Sequence, residues 1–179
     1  MAPISPVRNR VTGGCRGFTL VEIMVALLIL SIGLLGLAGM QANGLRQNNN
    51  ALFRTYAMLQ AYDMADRMRA NPAGVTAGSY ALTASLTSPA APGNNCVAVA
   101  SPCSSAQLAS ADLYEWWQQT RNLLPSGVGA VQFTPQAGGT GGEWTVTIMW
   151  DEERTGATGT ACGTDPAVDL KCYAVTFDP

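Results

Sequence analysis

Glu22 is the one charged residue between Arg16 and Arg46. Directly after it, Ile23 to Leu45 make a run of 23 residues without a charge, opening with Ile23-Met24-Val25-Ala26-Leu27-Leu28-Ile29-Leu30. A carboxylate deep in hydrocarbon costs about 2.5–3.5 kcal/mol even on the mildest scale, so one at the head of such a run marks a function or a partner unless it rests at the headgroup boundary beside water. The chemistry open to it is charge neutralisation of a cation brought by another chain. The remaining residues with chemistry are five cysteines (Cys15, Cys96, Cys103, Cys162 and Cys172), the charged group Asp63, Asp66, Arg67 and Arg69, and the acids Asp151-Glu152-Glu153. Histidine is absent, which removes the commonest general base and the commonest transition-metal ligand. No catalytic residue, metal site or cofactor is expected.

These residues need elements to hold them. At about 1.5 Å per residue, the uncharged run makes a helix of roughly 35 Å, enough to cross a hydrocarbon core of about 30 Å. It is longer than the apolar core of a secretory signal peptide, and no Ala-x-Ala site follows it. Arg8, Arg10 and Arg16 precede it without an acid among them, so the positive-inside rule leaves the first segment cytoplasmic and exports everything after residue 45. No proline occurs from Phe18 to Ala70, and Phe53, Ala57, Ala61, Met64 and Met68 lie on one helical stripe. One continuous helix is expected, its membrane half at 23–45 and its second half against a head, ended by Asn71-Pro72. Asp63 and Arg67 form an i,i+4 pair in the favourable order on a more polar face.

Residues 73–109, rich in Ala, Ser, Thr, Gly and Pro, read as a loop-dominated connection. Ser110 as N-cap, Arg121 near the end and Pro125 as the stop predict a helix over 111–124, with Leu113, Trp117 and Leu124 on one side. The period then changes to two. Trp144, Val146, Ile148 and Trp150 alternate with Thr145, Thr147 and Met149, Tyr173, Val175 and Phe177 repeat the pattern, and Val128–Thr134 makes a weaker third strand. Gly138–Gly142 reads as a turn; it lacks the Lys-Ser/Thr of a phosphate loop. Asp151-Glu152-Glu153 lacks the alternation of a calcium loop and reads as a solvated turn. Trp116 and Trp117 read as core residues rather than a sugar-stacking platform. The fold class is therefore α+β: residues 1–17 a cytoplasmic leader, 18–71 the long helix, 72–179 an exported head on an antiparallel sheet.

The 10 Lys and Arg against 12 Asp and Glu, with Lys171 the single lysine, speak against nucleic-acid binding, which needs many cations for phosphate contacts. Cys15 lies in the leader, and the other four cysteines lie in the exported part. Four cysteines in an oxidising compartment suggest two disulfides with three possible connectivities, of which the local pairs Cys96–Cys103 and Cys162–Cys172 are the simplest. Gly33, Gly36 and Gly39 suit a close-packing seam between helices, and equally the general glycine enrichment of membrane helices. Asp63, Asp66, Arg67 and Arg69 read either as a solvated face with internal pairs or as an interface to a partner.

Gly17 followed by Phe18-Thr19-Leu20-Val21-Glu22 and the long apolar run resembles the type IV prepilin signature. The stretch from Ile32 to Gln41 and the segment Ala61-Tyr62-Asp63-Met64-Ala65-Asp66-Arg67-Met68-Arg69-Ala70-Asn71-Pro72 resemble PilV-type minor pilins. The resemblance covers about residues 17–72; the head is similar only in layout. It implies a pilin-like fold and cleavage by a prepilin peptidase between Gly17 and Phe18, with N-methylation of Phe18. It also implies an assembly role for Glu22 through the new amine of a neighbouring subunit, since pairing offsets the desolvation of both charges. The partners it implies are other minor pilins and the major pilin in a complex that primes assembly, a large adhesin at the tip, and inner-membrane lipid before assembly. A type II secretion pseudopilin shares the processing signature and is the alternative. Loss of residues 1–17 takes the side-chain charge from −2 to −5, with 7 basic and 12 acidic side chains left. Protein recovered from sheared pili should begin at N-methylated Phe18; mass spectrometry showing an intact Met1 terminus there would refute the processing.

Overall fold

The structure, a computed structural model, describes residues 17–93, 96, 102–136 and 141–178. The leader up to Arg16, with Cys15, and most of the Gly138–Gly142 run lie outside the described residues. The chain divides into two compact units, Met1–Leu45 and Arg46–Pro179. Helix α1, Leu20–Ala70, runs through both. In the first unit its apolar side chains, Ile23 to Met40, are all exposed, as the span of a membrane helix would be outside its lipid.

In the second unit α1 has a different character. Ala57, Gln60, Ala61, Met64, Ala65 and Met68 are buried on one face, the face that the helical spacing marks out. Asn71 leaves the helical region (φ −128°, ψ 65°), and Pro72 occupies the first turn of a short second helix, α2, Pro72–Thr76. The Asn71-Pro72 stop is therefore a break and a restart. Proline costs nothing at the first helical position, where its missing N–H would have had no partner. The Asn71 side chain accepts from the Gly74 N–H at 3.3 Å, capping α2.

Helix α3 spans Ser105–Leu123, six residues earlier at its start than the 111–124 expected. Ser104 is the N-cap: its hydroxyl accepts from the Gln107 N–H while the Gln107 side chain accepts from the Ser104 N–H, a reciprocal capping box. Ser110 lies inside the helix and donates to the Ala106 carbonyl at 3.1 Å. Two serines compete for the cap, and the glutamine three residues after the first decides between them. The cysteine connection occupies the residues just before α3, with Cys96 bonded to Cys103.

Three strands follow: β1 (Val128–Pro135), β2 (Gly142–Trp150) and β3 (Lys171–Phe177), antiparallel in the order β1-β2-β3. The register sets Val131, Val146 and Val175 side by side, and likewise Phe133, Trp144 and Phe177. The α+β class expected from the sequence is the one observed. Leu82 and Val131 exchange two backbone hydrogen bonds at 2.9 Å, extending the sheet beyond β1.

Period-two alternation sends Trp144, Val146, Ile148 and Trp150 toward the stripe of α1, where they join Met64, Met68, Leu113 and Trp116 in one core. The opposite face carries a smaller core, Val128, Ala130, Met149, Ala157 and Leu170. The loop between β2 and β3, which Cys162–Cys172 ties to the sheet, completes that second core with Ala157 and Leu170. Trp116 lies across β1 at Gly129, where any Cβ would collide with the indole ring. Gly129→Ala should destabilise the head by about 1–3 kcal/mol, the usual cost of overpacking; a denaturant midpoint unchanged from wild type would show that the ring can shift aside.

Candidate functional site

The amino-terminal site is built by one cap. The Thr19 hydroxyl accepts from the Glu22 N–H at 3.2 Å, and the Thr19 carbonyl accepts from the Ile23 N–H at 3.3 Å. This starts α1 immediately after Gly17 and Phe18 and places Glu22 in its first turn. A negative charge there is favoured by the helix dipole, because the free N–H groups of the first turn carry partial positive charge. Among the described residues the Glu22 carboxylate makes no ion pair or hydrogen bond. The cap places the Glu22 backbone in the first turn, and the exposed carboxylate is left open to a cation from outside. Phe18 is 80% exposed. A Cβ at Gly17 would meet nothing within 4 Å, so packing among the described residues does not demand a glycine there. The same holds at Gly33, Gly36 and Gly39.

The charged group on the second half of α1 is dealt with differently. Arg67 is 22% exposed in its side chain, and its Nε donates to Asp63 at 2.9 Å. Its Nη1 reaches Asp112 and Glu115 of α3, both at 3.3 Å. Three carboxylates therefore surround one guanidinium. Burial by itself would lower the pKa of Arg67, but the hydrogen bonds from Asp63 and Glu115 and the charge of Asp112 more than reverse it and hold it above the ordinary value. Asp66 pairs with Arg69 at 2.8 Å on the exposed side, and the Arg69 guanidinium lies 5.0 Å from the centre of the Phe177 ring. Of the four residues weighed as an interface, Arg67 is engaged inside the subunit, while Asp66 and Arg69 remain at the surface.

Sequence reasoning missed what Arg67 leads to. Asp112 also accepts from the Tyr80 hydroxyl at 2.7 Å. Asn71 Nδ2 donates to that hydroxyl at 3.2 Å and to the Ser105 carbonyl at 2.8 Å. The network joins the end of α1, the cap of α2 and the start of α3. No local pattern announces it, since the links that join it to α3, from Arg67 and Tyr80 to Asp112 and from Asn71 to Ser105, span 32 to 45 residues. Beside it, Trp116 donates from Nε1 to the Gln60 carbonyl at 2.7 Å and Trp117 to the Ser85 carbonyl at 3.3 Å. Both indoles are buried, so no stacking platform exists there.

Asp151 is buried rather than solvated as expected. Its carboxylate accepts from the Thr155 N–H at 3.1 Å and the Gly156 N–H at 2.8 Å, which folds the chain after β2 into a tight turn. Glu152 makes a two-pronged pair with Arg54 of α1, at 2.8 and 3.2 Å. Of the three acids Glu153 alone is exposed and without a partner among the described residues. Among the described residues no group of three or more His, Cys, Asp or Glu is placed to hold a metal ion.

Two family models match adjoining parts of the chain. The prokaryotic N-terminal methylation motif matches residues 13–38, and the type IV pilin Tt1218 model matches residues 39–114. No curated protein and no solved structure matches significantly. The two matches support a type IV pilin that carries the prepilin methylation motif, and the long helix on a three-stranded antiparallel sheet agrees with the pilin fold.

Tyr80 provides a test of the network. Burial, first, and the Asp112 carboxylate, second, push its phenol well above the ordinary value of 10, against a smaller opposing pull from Asn71 and Arg67. The unfolded chain loses that proton near pH 10 and the folded chain keeps it. Stability is therefore complete below about pH 10 and falls as the pH rises toward the folded value. Tyr80→Phe should cost about 0.5–1.5 kcal/mol at neutral pH and flatten the alkaline loss; equal slopes for both proteins in denaturant unfolding between about pH 8 and pH 11 would show that Tyr80 is not the group responsible.

Proposed function

We propose that this chain is a minor pilin of the type IV pilus, of PilV type, that helps to prime fibre assembly. In this reading prepilin peptidase removes the leader after Gly17, and Phe18 becomes the N-methylated terminus. The precursor waits in the inner membrane with residues 23–45 as its single span, its amino terminus cytoplasmic and its head periplasmic. It then joins other minor pilins and the major pilin, and ends in a tip complex beside a large adhesin, contributing to adhesion and twitching motility.

The observation that carries the proposal is the amino-terminal half of α1. A helix that leaves every apolar side chain from Ile23 to Met40 exposed must be covered by something apolar, first lipid and then other helices. The one charge in its first turn, Glu22, has its backbone N–H capped by Thr19 and its carboxylate unpaired among the described residues, an arrangement suited to receive an amine from another subunit. Desolvating that amine and that carboxylate separately would be costly; desolvating them as a pair is much less so. The glycine before Phe18, with no packing reason among the described residues, suits a peptide bond that a protease must reach.

The minor and priming role rests on the resemblance of residues 61–72 to the PilV type. A deletion strain separates the reading from a type II pseudopilin: twitching should be lost while secretion continues. Glu22→Ala should leave cleavage at Gly17 intact and reduce recovery in sheared pili about tenfold or more, equivalent to ~1.4 kcal/mol of docking. Normal incorporation of Glu22→Ala would remove the assembly role from this carboxylate.

A further inference from the structure

At the start of the second unit a cavity of about 650 Å³ is lined by Arg46, Asn49, Asn50, Phe53, Glu152, Glu153 and Arg154. The first four lie at i, i+3, i+4 and i+7, one face of α1, and Arg46 is the first charged residue after the uncharged run. The other wall is the turn that Asp151 organises. Arg54 and Glu152 neutralise each other across 2.8 Å. The charges left are Arg46, Arg154 and Glu153, all exposed and none in an ion pair among the described residues.

Arg154 is held in an unusual way. Its φ is 55°, the left-handed region that favours glycine, and Asp151 fixes the turn around it through the N–H groups of Thr155 and Gly156. Its guanidinium lies 5.8 Å from the centre of the Phe53 ring. A non-glycine residue kept at such a backbone position directs attention to its side chain.

We infer that this cavity binds the headgroup of a zwitterionic phospholipid of phosphoethanolamine type, its phosphate against Arg46 and Arg154 and its ammonium against Glu153. The inference rests on the membrane-anchored reading proposed above. Guanidinium groups suit phosphate because their parallel N–H donors match its oxygens. An arginine that follows directly on a membrane span lies at headgroup depth. The exposed carboxylate of Glu153 opposes a purely anionic ligand and favours one that ends in an ammonium. Asn49 and Asn50 add neutral donors and acceptors to the same cavity. The bound headgroup would hold the waiting subunit in the membrane and be released when the subunit leaves for the fibre.

The test uses the full chain in maltoside micelles, with the side-chain Nε–H signals of its arginines followed by NMR. Dihexanoyl phosphatidylethanolamine, dihexanoyl phosphatidylglycerol and inorganic phosphate are the probes. The phosphatidylethanolamine should give saturable shifts at Arg46 and Arg154 and bind more tightly than the phosphatidylglycerol. Arg154→Gly should weaken it by about fivefold or more through loss of the charged donors, with a melting temperature equal to or above wild type, because glycine adopts this φ freely. Glu153→Gln should abolish the preference for the ethanolamine lipid. Absence of saturation, or insensitivity to both variants, overturns the inference; an equal response to inorganic phosphate reassigns the site to a free anion. In cells, a photocrosslinker at position 49 should capture lipid; capture of another pilin instead overturns it in favour of a subunit contact. A chain found outside the membrane fraction overturns the anchored reading and this inference together, whereas a membrane-held chain without headgroup shifts overturns this inference alone.

Discussion

Arg67 is the residue on which the polar architecture of the head turns. A guanidinium withdrawn this far from water must recover its lost hydration from fixed acceptors, and three carboxylates from two helices supply it. Asp112 then serves Arg67 with one oxygen and Tyr80 with the other, so the position of α3 is set by the same group that anchors the segment after α2. Asn71, at the break between α1 and α2, closes the chain by binding Tyr80 and the first carbonyl of α3. Each member is fully engaged only if the others are in place, the condition under which a polar cluster specifies one packing rather than several. The apolar stripe brings α1 to the sheet, and this network decides at what height and angle α3 joins them.

The two halves of α1 illustrate how one helix can answer to two solvents. In the second unit an ordinary amphipathic rule applies: small and apolar residues inward, Asp66 and Arg69 outward. In the first unit no polar face exists, and the helix is complete only in an apolar environment. Glu22 is the single charged exception, and the Thr19 cap on its backbone N–H keeps it in the first turn of the helix.

What could be read in the sequence follows the range of the interactions concerned. The stripe Ala57, Ala61, Met64, Met68 and the alternation of Trp144, Val146, Ile148 and Trp150 are local patterns with a physical period, and the structure places both in the core. The local cysteine pairs, the simplest of three choices, are the bonds the structure contains. Capping was only half legible. Ser110 and Ser104 carry the same hydroxyl, and attention to Gln107 would have chosen the second. Asp112 is a mid-helix residue turned toward Arg67 and Tyr80, contacts that no local pattern marks. Asp151 was read as solvated because a run of acids usually is; its burial depends on two N–H groups that only the folded turn brings together. The Arg54–Glu152 pair spans 98 residues and leaves no trace in either local sequence. The methylation motif is legible for the opposite reason: it is a local signature, matched over residues 13–38, that needs nothing from the fold of the head.

The loop that carries the second core has a mechanical consequence. Between β2 and β3 the chain makes a long excursion, Asp151 to Leu170, but Cys162 is bonded to Cys172 within β3 itself. The bond takes the ten-residue interval between them out of the path along which tension travels. At about 3.3–3.6 Å per extended residue, and with the bonded Cα atoms 5.5 Å apart, this withholds roughly 28–30 Å of slack. A pull on the head can shear the strands apart only by acting on a shortened, covalently closed connection, so the head would yield a small, fixed length before the force reached the sheet again.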